Sequence, residues 1–227
     1  MQLILIRHGQ SQWNLENRFT GWTDVELSDK GRAEAAEAGR KIAAAGIEPR
    51  YYFTSYLRRA IHTLQIAAAT MQRDWVPVDK DWHLNERHYG ALQGLNKADT
   101  AKKYGEEQVH IWRRSYDITP PALEADDKRH PRFDPRYADL TADELPATES
   151  LELTIERVRC CWEEKIAPAL RLYGDVMVVA HGNSLRGLVM MLRKMTPDEI
   201  VGLEIPTGAP WVFELDDRLQ PVKDYYL

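Results

Sequence analysis

Apolar residues run unbroken from Leu3 to Ile6 and stop at Arg7-His8-Gly9. Such a run, ending in charge and glycine, predicts a strand buried on both faces that opens into a site. Val176–Ala180 repeats the pattern and is followed by His181-Gly182-Asn183-Ser184. Between them, Ser28 has the character of an N-cap with Asp29 in the first turn, and an alanine-rich run to Ala45 is stopped by Gly46, which predicts a helix. Tyr51–Thr54 reads as a short buried strand. A second helix is expected to open at Ser55 or Tyr56 and run to about Met71, with Leu57, Ile61, Leu64 and Ala68 on one face. Trp75–Val78 is expected to be a further strand.

Residues 84–148 are different: glycines, prolines and charges dominate, with one short helix expected around Lys97–Arg114. Helical spacing returns with Leu151, Ile155, Val158, Trp162 and Ile166 and ends by Gly174. A helix over about Ser184–Lys194 follows the second histidine strand. Thr196-Pro197-Asp198-Glu199 forms a capping box with proline at the first helical position, and Trp211–Leu215 is expected to close the sheet. The alternation predicts an α/β fold, a three-layer α/β/α sandwich with a mostly parallel central sheet. One domain over 1–227 is expected, with the stretch at about 84–148 forming the rim or lid of a site.

Composition narrows the function classes. A net charge of −5 disfavours a general nucleic-acid or membrane-surface binder but leaves room for a small anionic substrate held by local arginines. The two cysteines, Cys160 and Cys161, are adjacent in a helical stretch, where a disulfide would be strained. Plain thiols, no leader-like amino terminus and no apolar run of membrane-spanning length lead to the expectation of a cytoplasmic protein without membrane partners.

Both His-Gly pairs sit at carboxyl ends of expected strands, where open α/β sheets place ligands. One such histidine could be a core residue with a partner; two on matched strand ends point to one active site. Histidine can act as a nucleophile, and a guanidinium beside it holds a phosphoryl group by paired, charge-assisted hydrogen bonds. Arg7 and Arg59 are available, and His181 could donate to the same oxygens. No Gly-x-x-x-x-Gly-Lys-Ser/Thr motif or spaced carboxylate set for nucleotide or magnesium is present, so a metal-free histidine mechanism is expected.

Arg7-His8-Gly9 with His181-Gly182 resembles the histidine phosphatase superfamily. Arg18-Phe19-Thr20-Gly21-Trp22, Leu84 to Gly90 (Leu-Asn-Glu-Arg-His-Tyr-Gly), Leu95-Asn96-Lys97, Trp112-Arg113-Arg114 and His181 to Arg186 are similar to cofactor-dependent phosphoglycerate mutases, from Leu3 to about Tyr226. The resemblance implies interconversion of 3-phosphoglycerate and 2-phosphoglycerate, as in glycolysis and gluconeogenesis, with 2,3-bisphosphoglycerate as primer and intermediate and no metal. It implies that His8 becomes phosphorylated while Arg7, Arg59 and His181 hold the transferring group. Glu86 is implied as the general acid/base. Ser11, Asn14, Thr20, Gly21, Gly182 and Asn183 are implied to contact phosphate or carboxylate groups, and Tyr89, Lys97, Arg113 and Arg114 the rest of the substrate. A homodimer or homotetramer is implied as well.

Without the resemblance, Glu86 could merely pair with Arg87, Arg113 and Arg114 could form a solvated helix face, and Lys97 could be a surface lysine. Trp22, Trp112 and Trp162 read as packing residues, and His62, His83, His88, His110 and His130 as structural or exposed. Gln10 stands where many relatives have glutamate, which is expected to tune the charge near the phosphate site. Relatives often continue past the equivalent of Leu227 with a flexible glycine- and lysine-containing tail, implied to limit water at the site. The nearest alternative is a phosphomonoesterase of the same superfamily, in which water takes the phosphoryl group. A non-catalytic sensor of phosphometabolites would be marked by loss of His8, His181 or Glu86, and all three are present.

Overall fold

Why the two apolar runs are unbroken is plain from their surroundings: each is covered on both faces. The structure, a computed structural model, describes residues 1–227. In β1 (Gln2–Arg7), Leu3 and Leu5 enter one core while Ile4 and Ile6 enter the other. Successive side chains of a strand alternate faces, so a central strand between two helical layers must be apolar at every position.

The chain continues through a single turn, α1 (Gln12–Leu15), to α2 (Asp29–Ala44), β2 (Tyr51–Thr54), α3 (Arg58–Thr70) and β3 (Val78–Lys80). Residues 84–148 then carry α4 (Lys97–Tyr104), α5 (Glu106–Arg114) and short 3-10 turns. Next come α6 (Leu151–Cys161), α7 (Ala167–Tyr173), β4 (Val176–Ala180), α8 (Gly182–Arg193), α9 (Pro197–Gly202), β5 (Trp211–Leu215) and β6 (Pro221–Tyr226). The sheet order is β3-β2-β4-β1-β5-β6, with β1 to β4 mutually parallel and β5 and β6 antiparallel to their neighbours. The α2 and α3 helices cover one face, packing Ala38, Ile42, Leu64 and Ala68 on Ile4, Ile6, Met177 and Val179. On the other face α6, α7 and α8 pack Val158, Leu170, Leu185 and Val189 on Leu3, Leu5, Val176 and Val178. This is the three-layer sandwich expected. No helix is long and apolar enough to cross a membrane.

Several element boundaries differ from the sequence expectation, each for a local reason. The third strand is Val78–Lys80 rather than Trp75–Val78: Pro77 has no N–H to give a ladder, and Trp75 is 72% exposed. The single helix expected over Lys97–Arg114 is two, divided at Gly105, whose φ of 90° ends α4. The helix after Thr54 begins at Arg58, not at Ser55 or Tyr56, because Ser55 is used elsewhere. Trp211–Leu215 does not close the sheet; β6 pairs outside it, in a strand whose mostly exposed or half-buried residues leave little apolar pattern to read. Between α6 and α7 the helix widens into a π turn at Trp162–Ile166, just before Pro168, which cannot donate into an α ladder.

The fold creates the crevice. The neighbours β1 and β4 end side by side, with Arg7 opposite Ala180 and the His8 amide donating to the Ala180 carbonyl at 2.9 Å. The helix after β1 lies on one face of the sheet and the helix after β4 on the other, so the two chains diverge there. Gly9 lets the loop after His8 lie directly on α2: a Cβ there would come within 2.2 Å of the Gly31 carbonyl oxygen.

Candidate active site

His8 and His181 meet at the strand ends with ring centroids 4.9 Å apart, both buried. The His8 Nδ1 lies 2.7 Å from the Gly9 carbonyl oxygen, which can only accept, so Nδ1 carries the proton. Its Nε2 therefore keeps a lone pair, and Arg59 Nε donates to it at 3.3 Å. Arg59 is itself anchored by donation to the carbonyls of Gly21 (2.7 Å) and Thr23 (2.9 Å). Burial brings the Arg59 guanidinium down to about 10, so it remains a cation at neutral pH.

The second histidine is oriented by Ser55. Ser55 Oγ accepts from the Leu57 amide and lies 2.7 Å from His181 Nε2, the only acceptor found for the hydroxyl proton. His181 Nδ1 then bears hydrogen. It is buried without a protein partner, as is Arg7 Nε. Arg7 is held by a 2.8 Å bond from Nη1 to the Ile205 carbonyl. Two buried donors thus lie without a protein partner beside the histidine pair, an arrangement complementary to an oxyanion.

Both histidines are held neutral. Burial, with the Arg59 and Arg7 guanidinium groups beside it, keeps His8 well below the usual histidine value. Burial, then Arg59 and His8, does the same to His181. A neutral His8 keeps the Nε2 lone pair that a nucleophile needs at pH 7. Behind the site, burial and the nearby His130, Arg157 and Arg129 take His88 down to about 3.

These shifts have a measurable consequence. An unfolded chain takes up protons at its histidines near pH 6.5, which the folded chain refuses, so acid favours unfolding. Each of the three contributes up to about 1.4 kcal/mol per pH unit, or about 4 kcal/mol together, from pH 6.5 downward toward the folded values. Urea denaturation between pH 7.5 and 5 is expected to show stability falling below pH 6.5, with a shallower slope in His88→Gln. A flat profile over that range would contradict neutral burial.

Two adjoining cavities open from this centre. One, of about 70 Å³, is lined by Arg7, His8, Asn14, Arg18, Phe19, Thr20, Gly21, Arg59, Glu86, Tyr89 and Lys97. The other, of about 170 Å³, is lined by Arg113, Arg114, Gly182, Asn183, Arg186, Glu204 and Ile205. Arg7, Glu86, Tyr89 and Lys97 belong to both. Glu86 Oε1 is fixed by the Arg87 amide (2.7 Å), the Asn183 amide (3.2 Å) and Asn183 Nδ2 (2.8 Å). Oε2 makes no protein hydrogen bond. One oxygen is pinned and the other is left without a protein partner.

Nearly all the residues expected at the site are brought together. Ser11 and His181 are not among the lining residues: the His181 ring packs on His8, and the Ser11 hydroxyl caps α1 by accepting from the Asn14 amide at 3.1 Å. Gln10 lines neither cavity, and its Oε1 accepts from Ser28 Oγ at 2.9 Å. The sequence reading gave no role to Arg18, Arg186, Glu204 or Ser55. Arg186 could have been found by its spacing: three residues past Asn183 on α8, it donates from Nη1 to the Asn183 Oδ1 at 3.0 Å.

Residues 3–143 match the family model of the histidine phosphatase superfamily, branch 1. The chain belongs to this superfamily. Among solved structures it is similar to mycobacterial glucosyl-3-phosphoglycerate phosphatase, at 23% identity and a TM-score of 0.73, covering 100% of this chain and 96% of the other. It is also similar to the α-ribazole phosphatase of Shigella flexneri, at 19% identity and a TM-score of 0.71, covering 98% and 95%. These likenesses establish the histidine phosphatase fold over the whole chain. Phosphoryl transfer is the chemistry of the superfamily and of this protein.

Proposed function

We propose that this histidine phosphatase is a 2,3-bisphosphoglycerate-dependent phosphoglycerate mutase, interconverting 3-phosphoglycerate and 2-phosphoglycerate. The observation that carries the reading is the paired cavity: two cation-lined lobes joined through Arg7, Glu86, Tyr89 and Lys97. A single phosphate needs only the lobe around His8. A second lobe bearing Arg113, Arg114 and Arg186 suits a ligand anionic at both ends, which phosphoglycerates are. Exchange between neighbouring hydroxyls requires the bisphosphate to be held with either of its two phosphates toward His8, its carboxylate remaining in reach of the second lobe.

In the transfer, the lone pair of His8 Nε2 attacks phosphorus as the bond to the ester oxygen breaks, and Glu86 gives that oxygen its proton. In the reverse direction a substrate hydroxyl attacks the phosphoryl group on Nε2, the P–N bond breaks, and Glu86 takes the hydroxyl proton. Arg7, Arg59 and His181 Nδ1–H would hold the transferring oxygens, where charge is spread. The cation-lined lobes and the unpartnered Arg7 Nε and His181 Nδ1 fit a bisphosphate. When bound, 2,3-bisphosphoglycerate supplies the phosphoryl group that charges His8.

Phosphorus NMR of 3-phosphoglycerate, with and without catalytic 2,3-bisphosphoglycerate, tests the reading. Appearance of 2-phosphoglycerate dependent on the primer is expected. Release of inorganic phosphate alone would make the protein a phosphomonoesterase instead.

A further inference from the structure

Glu86 is fixed from two sides, and only one of them faces the cavities. Behind the loop lies Arg157 of α6, 8% exposed, and all five of its N–H groups are used. Nη1 donates to the carbonyls of His83 (2.6 Å) and Asn85 (2.9 Å). Nη2 donates to the Glu86 carbonyl (2.9 Å) and to Glu149 Oε2 (2.9 Å), while Nε donates to Glu149 Oε1 (2.7 Å). The Glu149 side closes the ring: its Oε2 also accepts from the His88 amide at 2.7 Å, and its own amide donates to the His88 carbonyl at 2.8 Å. Trp22 Nε1 adds a 2.6 Å bond to the same Glu86 carbonyl.

We propose that Arg157, oriented by Glu149, is the positioning residue that aims the Glu86 carboxyl at the transferring oxygen. The proposal rests on the reading of Glu86 as the acid–base group. A guanidinium spanning three carbonyls of the loop fixes where the Glu86 Cα sits, while Asn183 fixes one carboxyl oxygen. The free Oε2 then has one direction open to it. Neither Arg157 nor Glu149 lines either cavity, so the pair acts through Glu86 and not on the ligand.

The test uses the proton demand of the leaving group in the step that phosphorylates His8. The alkoxide leaving from 2,3-bisphosphoglycerate needs a proton from Glu86, whereas dinitrophenolate leaves from 2,4-dinitrophenyl phosphate without one. The single-turnover rate at which each ester phosphorylates His8 in Glu149→Gln and Arg157→Lys would be compared with the native protein and with Glu86→Gln. A single turnover excludes the later breakdown of phosphohistidine, which is common to both esters. The clamp variants are expected to slow phosphorylation by 2,3-bisphosphoglycerate roughly 10- to 100-fold, part of the roughly 10²–10⁴ that a positioned acid–base group supplies. Their half-saturating concentration of the bisphosphate and their rate with the aryl ester are expected to stay near native.

Equal slowing with both esters, or none with 2,3-bisphosphoglycerate, would overturn the positioning role. If Glu86→Gln itself does not distinguish the esters, the acid–base reading falls, and the positioning role with it. If only the clamp variants fail to distinguish them, the acid–base reading stands and the positioning role alone is overturned. Should one clamp variant fold poorly by near-ultraviolet circular dichroism, the other carries the comparison.

Discussion

Replacing His8 by alanine is expected to abolish transfer while leaving the fold in place. The side chain sits at the end of β1, outside both apolar cores, and its backbone amide still bonds to Ala180 in the variant. Its ring makes two hydrogen bonds, one to the Gly9 carbonyl and one from Arg59. Arg59 Nε loses its acceptor, but the guanidinium stays anchored by its bonds to Gly21 and Thr23. Stability should therefore change by about 1 kcal/mol or less, or about 2–4 °C in melting temperature for a chain of this size. Activity should fall by roughly 10⁴-fold or more, as expected when a nucleophile is removed and only binding and electrostatic stabilisation remain. Turnover retained in His8→Ala would mean that phosphoryl transfer does not pass through this residue.

Glu86→Gln separates proton transfer from binding. The amide has the same shape, and its carbonyl oxygen can still accept from the Arg87 amide and from Asn183. What it loses is the ability to take up and release a proton at the free oxygen. A fall in kcat of roughly 10²–10⁴ is expected, with KM for 3-phosphoglycerate little changed. A change confined to KM would make Glu86 a binding group. Such a result would also remove the purpose of the Arg157 clamp.

The central sheet and the two histidines were legible because their signals are local. A strand covered on both faces must be apolar throughout, and the glycine after each histidine marks where the strand ends. The Glu86 block and the arginine pair were legible only through resemblance, since on composition alone they are charged residues in a loop and on a helix. The least legible features depend on distant partners. Ser55 looks like a helix cap, yet its hydroxyl is spent on His181, 126 positions away. Glu149, just before α6, and Arg157, on it, look like solvated charges, and only the fold shows Arg157 buried against the carbonyls of residues 83–86 with Glu149 paired to it. Gly105, by contrast, could have been read as a break, because nothing in its neighbourhood compensates a glycine inside a helix.

The tautomer and surroundings of His8 leave Nε2 as the group that would accept phosphorus. The most direct measurement is to mix the protein with 2,3-bisphosphoglycerate, quench in alkali, where phosphohistidine survives, and locate the phosphoryl group by peptide mapping and phosphorus NMR. A single phosphoryl group on His8, bonded to Nε2, is the expected result. Modification of another residue, of Nδ1, or of none would contradict it.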